Sequence, residues 1–262
     1  MSADPLADTG QPRGYDLLVR HLKERAVNLG EWALTMVHDG WRAYHAGDLV
    51  AAQTVLDRDT QLDRMDEDME HATIAFLVLR QPTAIDLRTA AALLKITTHL
   101  DRVGRLGFDM ARLTSGASAK ELTEVHDLLQ QMDELVESMV RQALDALDVG
   151  RVEMARDLFR RDDDIDQMHR QANRMIIALM QKQPDLAPRL ATDLLVARHF
   201  ERIADNACKV GEKTIYALTG QRRSEYLPRH AYRPYALEKA TPPQGRKEPR
   251  SPGARSSDTK AP

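Results

Sequence analysis

The chain repeats itself, and this limits its folds more than any other feature. Gly47, Ala52, Asp59, Leu62 and Asp63 recur as Gly150, Ala155, Asp162, Ile165 and Asp166, all at an offset of 103. The pairs Gln81-Pro82 and Gln183-Pro184 match at 102, and Asp101-Arg102-Val103-Gly104 matches Glu201-Arg202-Ile203-Ala204 at 100. A shrinking offset between aligned positions is what changes in loop length produce. The chain therefore divides into two related units of about 100 residues, each solving the same packing problem.

Within each unit the apolar period is helical. Leu18, Leu22, Ala26, Leu29, Ala33 and Met36 recur at steps of three and four, Gly47 ends that helix and Asp48 caps the next. A second helix is expected from about Leu49 to Arg80, with Val55, Leu62, Met65, Met69, Ala72 and Phe76 as its apolar seam and Gln81-Pro82 as its stop. A third follows from about Ile85 to Leu113, a fourth from about Ala119 to Val149, a fifth from Val152 to about Lys182, and a sixth to Leu218 with Gly220 as punctuation. Aromatic residues make up only 5% of the chain, as in helix bundles rather than sheets. The expected fold is all-α, two tandem three-helix bundles at residues 14–116 and 117–220, with six long antiparallel helices. Residues 1–13 read as a disordered N-terminus, and residues 221–262, with seven prolines from Arg222 on, as a basic, disordered tail.

The net charge of −3 hides an asymmetry: residues 222–262 carry 10 Lys and Arg against 4 Asp and Glu, so the body before them is at −9. An acidic body disfavours nucleic acid and suits cations. One cysteine, Cys208, excludes an intramolecular disulfide and fits a reducing compartment. The N-terminus shows no secretory signal and no apolar run is long enough for membrane insertion, which points to a cytoplasmic protein.

The acids are arranged as stripes. Asp59, Asp63, Asp66 and Glu70 share one face of the second helix, and Asp162, Asp166, His169 and Asn173 share the equivalent face of the fifth. On the sixth helix Glu201 and Asp205 stand one turn apart on an otherwise apolar stripe running through Leu190, Leu194, Ala197 and Cys208, so both are expected to face inward and to need compensation. Arg202 lies about 100° round the helix and cannot supply it alone. Oxygen-rich faces of this kind suit hard or borderline cations, and His169 would admit iron, zinc or manganese. The plain alternative is solvated helix surface. Trp32 falls in the core phase of the first helix, which sends Trp41 to the rim or an interface.

At these residues the sequence resembles the PhoU family, phosphate-uptake regulators built from two tandem three-helix bundles. The Glu-Arg-hydrophobic-small-Asp motif at 201–205, its degenerate copy at 101–105, the runs at 59–63 and 162–166 and the paired Gln-Pro stops carry the resemblance over residues 15–220. It implies a non-catalytic, cytoplasmic, homodimeric protein that links the high-affinity phosphate ABC transporter ATPase to a sensor histidine kinase and represses the phosphate-starvation response when phosphate is plentiful. It also implies iron or zinc at the acidic motifs, with Glu201, Asp205, Asp162, Asp166 and Asp101 as the residues to hold it. Here the first motif departs from the pattern: Asp101 stands for Glu and Arg105 replaces the second acid, while Lys209 takes an Asn position in the second. Arg105 is accordingly expected to be an internal counter-ion to Asp101, with the metal lost from the first repeat and weakened in the second. An accessory subunit of a low-affinity phosphate permease is an alternative with the same bundle. A ferritin-like carboxylate-bridged metalloprotein is the other, but no Glu-x-x-His pair, the ligand spacing of such bundles, occurs in the chain.

Overall fold

The period-3.6 segments fold as helices almost where their punctuation falls. A computed structural model describes residues 14–115, 123–222 and 225; the expected disordered N-terminus, most of the tail and the start of the fourth helix lie outside the described residues. The first unit contains α1 (Gly14–Ala46), α2 (Leu49–Leu56), α3 (Asp59–Arg80) and α4 (Ala84–Arg112). The second contains α5 (Thr123–Val149), α6 (Val152–Lys182) and α7 (Ala187–Thr219), the last preceded by a single 3-10 turn, Pro184–Leu186.

Equivalent glycines end equivalent helices. Gly47 and Gly150 sit at φ 68° and 73°, where a side chain would be strained, and the next residues, Asp48 and Arg151, donate back to the carbonyls of Ala43 and Ala146. Asp48 then caps α2, accepting from the amides of Val50 and Ala51 at 3.0 Å each. The expected continuous second helix is interrupted. The amide of Arg58 bonds the carbonyl of Val55, three residues back, and its guanidinium reaches Asp39 of α1 at 2.5 Å, so the chain tightens at Asp57–Arg58 before α3 begins. The equivalent stretch of α6 is unbroken.

The two units share one core rather than standing apart. Within them α1 packs on α4, and α6 on α7; between them α1 meets its repeat equivalent α5, and α4 meets its equivalent α7, with α3 and α6 on the flanks. The buried seam runs through Leu29, Met36, Leu93, Ile96, Leu100 and Val103 in the first unit and Leu158, Ile165, Phe200 and Ile203 in the second. Among the described residues no helix is long and apolar enough to cross a membrane. Cys208 is buried, its thiol directed at the carbonyl of Leu158.

Candidate functional site

The acidic faces of α3 and α4 meet around one arginine. From α4, Arg105 bonds Asp101 Oδ2 at 3.1 Å along its own helix, and it crosses to α3 to reach Asp59 at 3.4 Å and Asp63 at 2.5 Å. Three carboxylates from two helices thus converge on a fixed guanidinium, whose planar fork matches them. Burial, outweighing Arg105, raises the Asp59 carboxyl above its usual range, with Asp63, Asp101 and Asp109 adding to the shift. Asp66, further along the stripe, is raised by burial and then by Asp101 and Glu70. A cation at this place would have to displace Arg105, so these residues do not fit a metal. Arg105 serves Asp101 as expected, and it serves Asp59 and Asp63 as well.

The second motif is arranged differently. Glu201 is buried at 7% exposure, as expected, but Asp205 is exposed. The correction is one of phase: two residues four apart differ by about 40° round a helix, and here the edge of the core runs between them. Glu201 takes its positive partner from Arg198, one turn earlier, at 2.6 Å. Asp166 on α6 faces this region; its carboxyl is raised by burial, opposed by Arg170 at 3.7 Å and reinforced by Asp205. Asp162 lies half-buried on the same helix. His169 is buried beside Asn173, and burial, then Arg198 and Arg170, hold it less basic than a free imidazole. Lys209 does not enter the motif, for its amine turns to Glu212 at 3.4 Å. Among the described residues no group of three or more His, Cys, Asp or Glu side chains is placed to hold a metal ion.

A second polar cluster was not anticipated. At the junction of α1, α5 and α7, Tyr44 donates to Asp193 at 2.6 Å and shares a 2.8 Å hydrogen bond with Thr192. His126 Nε2 lies 3.4 Å from the same Asp193 oxygen, Arg189 stacks over the Tyr44 ring, and the Nδ1 atoms of His45 and His126 are 2.9 Å apart. Asp193 is fully buried. Burial and the neighbouring Asp193 push the Tyr44 hydroxyl to a higher pKa. Trp41 is also buried here, donating to Gln130 at 2.8 Å, whereas Trp32, expected in the core, is only partly buried. The sequence did hold one signal: Asp193 lies three residues after Leu190 and four before Ala197, an acid on the apolar stripe. The expected Leu194 is half-buried beside it.

The PhoU domain model matches twice, at residues 27–114 and 129–214, once over each of the two units. The chain belongs to the PhoU family. It is 30% identical over 223 residues to a phosphate-specific transport system accessory protein PhoU homolog of Caulobacter vibrioides, covering 83% of this chain and 95% of that protein. A protein of the same description from Clostridium acetobutylicum is 26% identical over 204 residues, covering 78% and 93%. The crystal structure of the phosphate transport system regulatory protein PhoU from Streptococcus pneumoniae superposes with a TM-score of 0.73 at 25% identity, covering 79% of this chain and 98% of that one. PhoU from Pseudomonas aeruginosa gives 0.72 at 25% identity, with coverage of 79% and 100%. PhoU membership thus rests on the whole duplicated body rather than on one motif.

Proposed function

We propose that this PhoU protein is a non-catalytic cytoplasmic regulator of phosphate uptake. It acts as a homodimer that couples the ATPase of the high-affinity phosphate ABC transporter to a sensor histidine kinase and represses the starvation response when phosphate is plentiful. The observation that carries this reading is the double PhoU match laid over both units, in relatives named as accessory proteins of phosphate-specific transport. The acidic motifs have a structural role in the first unit, where Arg105 supplies the charge that a metal would bring. In the second unit Glu201, Asp205, Asp162 and Asp166 are not gathered into a ligand group and Arg198 and Arg170 share the same space, so iron or zinc binds there weakly at most. An affinity capture from phosphate-replete cells tests the coupling: both the transporter ATPase and the kinase are expected, and recovery of neither refutes it. Metal analysis of protein purified without chelator tests the second point. A full cluster in each repeat would overturn it.

A further inference from the structure

The seam between α1 and α5 joins the first helices of the two units, and its polar pairs keep one register. His45 faces His126, Trp41 faces Gln130, His38 faces Asp133, and Glu31 meets Arg141. A step of seven back along α1, from His45 to His38, matches a step of seven forward along α5, from His126 to Asp133. The same two helix faces therefore stay opposed along the whole seam. One turn beyond, the side chain of Leu144 fills the space over Gly30.

Asp133 is the anomaly in this seam. It is 2% exposed, and neither its Oδ1 nor His38 Nδ1 has a hydrogen-bond partner among the described residues. The nearest group able to carry positive charge is that same His38 nitrogen, 4.0 Å from Oδ2 and equally 4.0 Å from Glu137. The other charged groups around Asp133 are acidic: Glu137, itself turned to Arg141, and Glu134, turned to Gln130. A carboxylate here would be a buried charge without a hydrogen-bonded counter-ion, which proteins avoid by keeping the acid protonated. Burial first, then the two glutamates, raise the Asp133 carboxyl to about 7.

We propose that the α1/α5 seam is a proton-operated clasp between the two units, closed while Asp133 holds its proton and loosened when it is ionised. Parting the seam hydrates Asp133, so opening releases a proton and becomes easier as pH rises towards neutrality. The other end of the seam has the opposite sign. The facing Nδ1 atoms of His45 and His126 accommodate one hydrogen between them, and burial, His126 and Arg189 disfavour a further charge on His45 against the weaker pull of Asp127. That end loosens only on acidification. Because Tyr44 and Asp193 abut His126, an open seam also exposes the buried Asp193.

Amide hydrogen exchange of the full chain, measured from pH 5 to 8.5 and corrected for intrinsic rates, tests the clasp. In His45→Gln, which lacks the opposing imidazole, opening of α1 residues 33–46 and α5 residues 125–137 should increase by about tenfold per pH unit between roughly pH 5 and 6.5 and level off above about 7, and in the wild type the rise should be shallower over the same range. The flank helices α3 and α6 should show no such slope. Asp133→Asn, which keeps the shape and removes the ionisation, should abolish the rise with pH in the seam, alone or combined with His45→Gln. A flat profile in the seam of His45→Gln overturns the clasp, and so does a slope in Asp133→Asn unchanged from the wild type.

Discussion

Replacing Gly107 with alanine should destabilise the protein by about 2 kcal/mol, although alanine is the better helix former. Gly107 of α4 lies against the backbone of α1: a Cβ built on it stands 2.5 Å from the carbonyl carbon and oxygen of Met36 and from the amide nitrogen of Val37. The contact is reciprocal, since a Cβ on Gly40 would fall 2.3 Å from the carbonyl oxygen of Gly107. Ordinary contact needs about 3.5 Å, so the helices must part by about 1 Å, and the atoms in the way are backbone that cannot rotate aside. Such a gap forfeits a quarter to a half of the dispersion energy across the crossing, which puts the cost at the upper end of overpacking, about 3 kcal/mol. The helix propensity of alanine returns about 1 kcal/mol. Urea denaturation should show the loss at an unchanged slope, with a melting temperature lower by roughly 4–8 °C. Gly211→Ala is the milder comparison: its Cβ would meet the end of the Leu158 side chain at 2.8 Å and the carbonyl oxygen of Ala155 at 3.2 Å, so only a few tenths of an ångström of backbone shift is needed and the loss should be less than that of Gly107→Ala. A Gly107→Ala protein as stable as the wild type would refute the close-crossing argument.

Three further outcomes follow from individual contacts. Arg105→Ala leaves Asp59, Asp63 and Asp101 facing one another, so stability should fall by about 1 kcal/mol at low ionic strength and recover in roughly 1 M salt; a salt-independent loss would contradict the counter-ion role. Arg88 of α4 donates from Nε to the carbonyl of Ala217 at 3.0 Å, holding the end of α7. Arg88→Ala should cost about 1 kcal/mol and speed amide exchange in the last turn of α7, leaving α6 unchanged. For Asp133 the folded value near 7 lies above the usual 3.8, so its stabilising contribution is complete below the lower value and is lost as pH rises through the higher. Three pH units correspond to a ceiling of about 4 kcal/mol, and Asp133→Asn should accordingly be roughly 2–4 kcal/mol more stable than the wild type at pH 8 and no more stable at pH 4 in chemical denaturation.

The acidic motifs show where local reading stopped. That Arg105 would answer Asp101 follows from helical spacing alone, because residues four apart are neighbours on any helix. That the same guanidinium reaches Asp59 and Asp63 depends on how α3 lies against α4. The spacing of Glu201 and Asp205 put both on one side of α7, but only the packing of the neighbouring helices decides that the boundary of the core passes between them. The break at Asp57–Arg58 has no local signal for a similar reason: its anchor, Asp39, belongs to another helix.

By itself, the amino-acid sequence determined the two units, their helices and the order in which those run. Duplication, apolar period, glycine stops and Gln-Pro breaks all act between residues a few positions apart. Tertiary structure alone decided which faces the units turn to each other, and with them the Tyr44–Asp193 contact, the burial of Trp41 and the isolation of Asp133. Those pairs are separated by up to 149 residues and depend on a register between helices that no local pattern encodes. A helix records which of its sides is apolar, but the charge left inside depends on the partner that covers it.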